Sequence, residues 1–253
     1  MKLTFLGTGT SMGVPVAGGF KAKGLSSDPR NIRTRCSTWV QTEQCSLLID
    51  AGPEFRIQSI RAKIKRVDAL LITHQHMDHI SGLDDLRAYN FIQKSSIPVY
   101  TSSSCIDSIR KRFDYMFGEE KYPGSTSLEL NSISKKMSFK DLEITPLPCK
   151  HGDLDILGFR INEVSYLTDV KYIPEETKKL IKGSKVIVLS ALRWEPSHPT
   201  HLTIPESVSI INELEVPEGY LIHMNSYVDH QETNKKLPDH IRLAYDQQVL
   251  EIN

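Results

Sequence analysis

Thr73-His74-Gln75-His76-Met77-Asp78-His79 places three imidazoles and one carboxylate within six residues, directly after the buried-type strand Ala69–Thr73. A divalent ion takes three or four such donors, each a neutral imidazole or a carboxylate. The surplus points to two ions. On a turn, His74 and His76 reach one side while Asp78 and His79 reach the other. A merely polar surface loop accounts poorly for the run, because histidine is uncommon and three of them here join an acid at a strand end.

Working outward, further metal-capable side chains recur in the same setting. His151 follows Leu147-Pro148-Cys149-Lys150, Asp169 follows Val164–Thr168, and His223 closes Tyr220-Leu221-Ile222. Alone, each reads as a satisfied structural group; the repeated placement at strand ends raises all three, since layered α/β proteins collect their sites there. Lys2–Leu6, Ser37–Thr42, Ser46–Asp50, Val186–Ser190 and Glu218–Ile222 read as further strands. Glu54–Lys65 reads as an amphipathic helix with Phe55, Ile57, Ile60 and Ile64 on its apolar face and a solvated basic face. Ser103–Phe113 and Pro174–Lys182 read as helices, the second with Pro174 in its first turn. Ile204–Leu214 carries Thr203 as cap and Glu206 three residues on. Strands alternating with helices predict an α/β layered sandwich.

The 253 residues form one expected domain, 1–253, large enough for a continuous core. Lys plus Arg is 31 and Asp plus Glu is 31, a net charge of zero that argues against a nucleic-acid or anionic-membrane coat. No apolar run approaches the roughly 18–20 residues of a membrane span, and Met1–Gly13 reads as a first strand and not a signal peptide, so the expected location is cytoplasmic. Cys36, Cys45, Cys105 and Cys149 are widely spaced with no CxxC, which indicates neither a zinc knuckle nor a disulfide framework. Ala17–Asn31 reads as a long surface loop. Arg33 and Arg35 read as solvated loop residues, with proximity to a phosphate the weaker alternative.

HxHxDH followed in order by His151, Asp169 and His223 resembles the metallo-β-lactamase superfamily across nearly the whole chain. Gly7-Thr8-Gly9-Thr10-Ser11, Gly13-Val14-Pro15, Asp28-Pro29-Arg30-Asn31, Ser81–Arg87 and His198-Pro199-Thr200-His201 resemble one branch of it, the phosphoribosyl 1,2-cyclic phosphate phosphodiesterase (PhnP-like) group. The resemblance implies a four-layer αββα sandwich and two divalent ions, whether zinc, manganese or iron. His74, His76 and His151 would hold one ion, and Asp78, His79 and His223 the other. Asp169 would bridge them, and Asp50 would stand behind the ligand loop, holding it by hydrogen bonds. It also implies hydrolysis of a small, cyclic phosphodiester by a metal-bridging hydroxide, with Asp78 and His201 in catalytic roles and His201 contacting or protonating the phosphate. His198 reads as structural.

The branch departs at two places. The cysteine-rich insertion that often binds an accessory zinc is here the cysteine-free Ala17–Leu25, and a second histidine three residues after the last ligand is here Ser226, with His230 as a conceivable substitute. Both bear on specificity. The other readings are an RNA-processing nuclease of the tRNA 3′-end type, a thioester or lactam hydrolase of the same fold, and a non-catalytic binding protein. The partner expected is a small phosphodiester, with neither nucleic acid nor membrane; a homodimer is compatible with the composition.

Overall fold

The computed structural model describes residues 1–19, 27–118, 122 and 124–252. The 20–26 part of the expected surface loop lies outside them; Ala17–Gly19 form a 3-10 turn. Two seven-stranded sheets carry the chain. In spatial order the first is β14 (Val249–Glu251), β1 (Lys2–Gly7), β2 (Ser37–Gln41), β3 (Ser46–Ile49), β4 (Ala69–Leu71), β5 (Ile97–Thr101) and β6 (Leu128–Ser132). The second is β13 (Ile241–Leu243), β12 (Glu218–Ile222), β11 (Val186–Ser190), β10 (Val164–Leu167), β9 (Leu154–Ile161), β8 (Leu142–His151) and β7 (Met137–Phe139).

The strands are apolar on both faces because both faces are covered. Successive side chains alternate between two cores. Leu47, Ile49, Ala69, Leu71, Val186 and Val188 meet between the sheets. Their neighbours Leu48 and Leu70 face outward onto Phe55, Ile80, Leu83, Leu86, Tyr89, Cys105, Ile109 and Met116, from α1 (Phe55–Arg61), α2 (Met77–Ile80), α3 (Arg87–Gln93), α4 (Ser103–Arg112), α5 (Asp114–Phe117) and the turn before α3. Ile187 and Leu189 face Ile181, Ile204 and Ile211 of α6 (Glu175–Ile181) and α7 (Ile204–Glu213). Three cores make four layers, helix–sheet–sheet–helix, as the resemblance implies.

Direction matters more than layer order. Strands β3 to β6 are mutually parallel, and so are β10 to β13. Strand β8, two antiparallel steps from β10, points the same way as β10. Asp50, His74, His151, Asp169 and His223 therefore all follow or close the C-terminal ends of strands, and loops from both sheets meet along one edge.

Several elements differ from the sequence expectation, each for a physical reason. Helix α1 is short and buries Phe55, Gln58 and Ser59, while Ile57 and Ile60 stay exposed. Gln58 Nε2 donates to Thr34 Oγ1 and to the Arg35 carbonyl, so a polar anchor displaces the expected apolar stripe. Pro174 stands at the N-cap of α6 and not inside its first turn. Strand β8 holds Pro146 and Pro148 because their missing N–H groups face away from β9, on the same side as the Lys150 N–H that donates to Tyr172 O, where β7 has already ended. Helix α7 has the full capping box between Thr203 and Glu206. All four cysteines are free and buried, and burial pushes the thiols of Cys45 and Cys105 up to about 11 and that of Cys149 to about 12.

The two N-terminal segments are pinned to the late chain by one carboxylate. Asp246 accepts from Thr8 N and Oγ1 at 2.9 and 2.8 Å, and from Thr34 N and Oγ1 at 2.8 and 2.7 Å. Removing it strands four donors. Asp246→Ala is expected to cost about 2 kcal/mol, lowering Tm by roughly 4–8 °C, with Asp246→Asn milder; a thermal melt within 1 °C of the parent contradicts the clamp.

Candidate metal centre

The HxHxDH run enters α2, a single turn beginning at Met77. Gly52 lets this run pack closely: a Cβ there would lie 2.1 Å from the Asp78 carbonyl oxygen. Three residues of the site, two donors and the carboxylate behind them, sit at backbone angles that side chains rarely adopt. Asp50, Asp169 and His223 have φ of 57°, 58° and 63°. Left-handed backbone costs a non-glycine residue about 1–2 kcal/mol, and strain of this kind gathers where geometry serves a site.

The metal-capable side chains form two groups within which the donor atoms lie inside 4.8 Å of one another: His74, His76 and His151, and Asp78, His79, Asp169 and His223. A third set, His151, Asp169 and His201, overlaps both and so puts Asp169 at the junction. Asp169 Oδ1 stands 3.2 Å from His79 Nε2, and Oδ2 stands 3.1 Å from His223 Nε2 and 4.0 Å from His201 Nδ1. His201 lies between the groups, its ring 4.5 Å from that of His151 and 4.7 Å from that of His223.

Outer hydrogen bonds decide which nitrogen of each ring offers a lone pair. Asp50, fully buried, accepts from Thr73 N at 2.9 Å and Thr73 Oγ1 at 2.8 Å, and pairs with His79 Nδ1 at 2.7 Å. The carboxylate makes His79 Nδ1 the donor and turns Nε2 into the site, where it offers a lone pair once a bound cation takes the place of its proton. Since the Thr73 hydroxyl proton goes to Asp50, its contact with His74 Nδ1 at 3.0 Å makes that nitrogen the donor. His74 Nε2 then faces His76 Nδ1 at 3.0 Å, both inward. His151 Nδ1 donates to the Thr200 carbonyl at 2.8 Å, again freeing Nε2. This is the usual outer support of metal-binding imidazoles.

The inward atoms fit a cation and little else. His79 Nε2 and both nitrogens of His223 are buried without a hydrogen bond in good geometry, despite the nearby carboxylates. Burial works against a charged His79, yet Asp169 and Asp50 overrule it and hold the imidazole well above the usual histidine range. Burial likewise opposes the Asp78 charge, and the His79 ring overcomes it, pulling the carboxyl down to about 2. The second group thus demands positive charge. In the first, burial lowers both His74 and His76, aided by neighbouring imidazoles, so those rings are neutral donors.

The remaining residues are also placed. His198 Nδ1 sits 3.3 Å from Thr200 N and 3.2 Å from Thr200 Oγ1, bracing the loop that holds His151. Ser226 is buried, and His230 joins neither donor group: it opens α8 (His230–Asn234) with its ring 5.7 Å from Tyr245. Arg35 pairs with Glu54. Arg33 is 1% exposed, which overturns the solvated-loop expectation: Nη2 donates to Asn31 Oδ1 and Nη1 to the Asn225 carbonyl, and these polar partners offset burial. Thr73 and Thr200 were not singled out in the sequence. An Oγ or a carbonyl behind a ligand carries no signal of its own there.

Comparison with known proteins agrees with this geometry. A family model, the Beta-lactamase superfamily domain, matches residues 46–224. A solved structure described as a new diphosphatase from the PhnP family superposes with TM-score 0.92 at 37% identity, covering 100% of this chain and 98% of that one. A Porphyromonas gingivalis protein named octanoyltransferase is 39% identical over 97% of this chain and 50% of its own length. A Bacillus anthracis exodeoxyribonuclease, YycJ, is 24% identical over 60% of this chain and 57% of its own. The chain spans about half the length of these curated relatives. It belongs to the metallo-β-lactamase superfamily. Within the superfamily it is a PhnP-like protein. Among the described residues no helix is long and apolar enough to cross a membrane.

Asp50 supports one ligand of each group, His74 through Thr73 and His79 directly. Asp50→Asn, which cannot accept from all three donors, is expected to weaken uptake in both groups by roughly 10- to 100-fold; elemental analysis after dialysis against graded chelator measures it, and unchanged content refutes the support role. His230 provides a pH test away from the donors. Burial, with Arg30 and Arg33 nearby, lowers its imidazole to about 4. The folded state therefore resists a proton that the unfolded chain accepts below about 6.5. Its contribution to stability is complete above pH 6.5 and is lost as pH falls towards 4. Tm measured against pH is expected to fall less steeply across that window in His230→Gln than in the parent; parallel curves contradict it.

Proposed function

We propose that the chain is a binuclear metal-dependent phosphodiesterase acting on a small phosphodiester or diphosphate ester. The observation that carries this is Asp169, whose carboxylate stands at the junction of two donor groups built from both sheets. His74, His76 and His151 would hold one divalent ion and Asp78, His79 and His223 the other, with Asp169 shared. Ions bound there supply Lewis acidity to phosphoryl oxygens and lower the pKa of coordinated water. Zinc, manganese and iron all suit the donor set, since imidazole and carboxylate accept each of them.

The chain's own part is orientation and proton handling. Asp50, Thr73 and the Thr200 carbonyl hold the His79, His74 and His151 rings with Nε2 inward, so these donors need little reorganisation on binding. Burial, together with His223 and His151, lowers His201 to about 3, so at neutral pH its ring is uncharged. An uncharged imidazole keeps one N–H and can hydrogen-bond a phosphoryl oxygen or the leaving oxygen, where it shares its proton as charge develops.

A diphosphatase of 37% identity across the whole chain supports a small phosphate ester. The exodeoxyribonuclease and ribonuclease Z relatives share phosphodiester chemistry but are 24–28% identical over 53–64% of this chain. Zero net charge gives no basic excess for gripping a polynucleotide. The octanoyltransferase name belongs to a protein twice as long as the matched region.

The test loads the purified chain with zinc or manganese and follows bis(p-nitrophenyl) phosphate, a cyclic ribose phosphate, a nucleoside diphosphate ester, an acyl thioester and single-stranded RNA. Metal-dependent cleavage of the small esters, with RNA resistant, is expected. Cleavage of RNA alone, or of thioesters alone, overturns the proposal. His201→Ala is expected to keep both ions and lose roughly 10²–10⁴-fold in kcat; unchanged turnover removes its role.

A further inference from the structure

His223 is a fully buried imidazole that no hydrogen bond found among the described residues holds from behind. His74, His79 and His151 each use Nδ1 to bond an oxygen of Thr73, Asp50 or Thr200. His223 Nδ1 is buried with no hydrogen-bond partner among the described residues. Its ring direction must therefore come from its backbone, which sits in the left-handed region at φ 63°. An isolated histidine relaxes out of that conformation unless its flanks are fixed.

The two residues that follow it are fixed, the first by the opening loop of the chain and the second by a buried cation. Met224 N donates to Thr8 O, and Thr10 N donates to Met224 O, both at 3.1 Å. Two residues after the ligand, the Asn225 carbonyl accepts from Arg33 Nη1 at 3.4 Å. Arg33 Nη2 donates to Asn31 Oδ1 at 3.0 Å, and the same oxygen accepts from His230 N at 2.8 Å. Asn31 Nδ2 in turn donates to Asp229 Oδ2 at 2.9 Å. The segment 225–230 is thus tied at both ends to the 31–33 segment. The Arg33 backbone is itself locked by reciprocal bonds with Val14, each 2.7 Å. Burial lowers the guanidinium to about 10, opposed by Asp246, Asp229 and Asp28, so it remains charged at neutral pH.

We infer that Arg33 is a positioning residue for the second metal group: by bridging the Asn225 carbonyl to Asn31, it holds the backbone that aims the His223 imidazole at Asp169. The inference rests on the two-group metal reading above. It separates Arg33 from a general structural role because it reaches one group and not the other; His74 and His151 have their own outer bonds, and no bond found among the described residues links His74, His76 or His151 to Arg33.

The test is a Co²⁺ titration of metal-free protein followed by visible absorbance, with zinc counted by elemental analysis, on the full chain and on Arg33→Met, Arg33→Lys and Asn31→Ala. His223→Gln marks the loss of the second group. Arg33→Met is expected to fill one site as the parent does and to bind the second roughly 10- to 100-fold more weakly, with the cobalt spectrum resembling that of His223→Gln. Arg33→Lys, which keeps the charge but cannot span both acceptors, is expected to recover part of the loss. Parent-like filling of both sites overturns the inference. So does equal weakening of both sites in step with a fall in Tm, which marks a structural role only. If Arg33→Met does not fold, Arg33→Lys and Asn31→Ala decide by the same criteria. A parent chain that binds no Co²⁺ refutes the metal reading itself, an outcome distinct from selective loss.

Discussion

The site depends on one buried carboxylate. Asp50 is fully excluded from solvent and holds the Thr73 amide, the Thr73 hydroxyl and His79 Nδ1. A buried charge without such partners would be costly to keep; with them, its hydrogen bonds become the frame of the ligand loop. The frame works because β3 and β4 are parallel neighbours, which places Asp50 beside Thr73. A change of register would flip Asp50 away from the loop and face the apolar residues of β3 into the wrong core. Fold and chemistry are therefore one constraint.

The second sheet completes the same arrangement from the opposite side. His151, Asp169 and His223 arrive from β8, β10 and β12, all pointing one way, and Asp169 lies where their donors meet those of the first sheet. Inward lone pairs, orphaned nitrogens on His79 and His223 and a lowered Asp78 carboxyl leave a strongly anionic, poorly satisfied centre. Such a centre is expensive in a folded protein unless a cation binds it. The strained backbone at Asp50, Asp169 and His223 belongs to the same account, since each residue turns sharply out of a strand to bring its side chain inward.

Much of this was legible in the sequence. The strands β11 and β12 fall on the expected residues, and the capping box of α7 is written in Thr203 and Glu206. The HxHxDH side chains that the structure brings together are metal-capable by residue type, and residue type is what a sequence displays. What was not legible depends on partners far apart in the chain. Arg33 read as a loop cation because its acceptors, Asn31 and the Asn225 carbonyl, include a backbone atom 192 residues away. Helix α1 misled because Gln58 anchors it where two isoleucines suggested an apolar face. The strand before His151 is legible although β8 holds two prolines; why they are tolerated is not, because that depends on the missing neighbour beyond β7.

Anomalous diffraction from crystals of the zinc- or manganese-loaded chain tests the central claim most directly. The account predicts two peaks, one enclosed by His74, His76 and His151 and one by Asp78, His79 and His223, with Asp169 between them. A single peak, or ions bound away from Asp169, would contradict it.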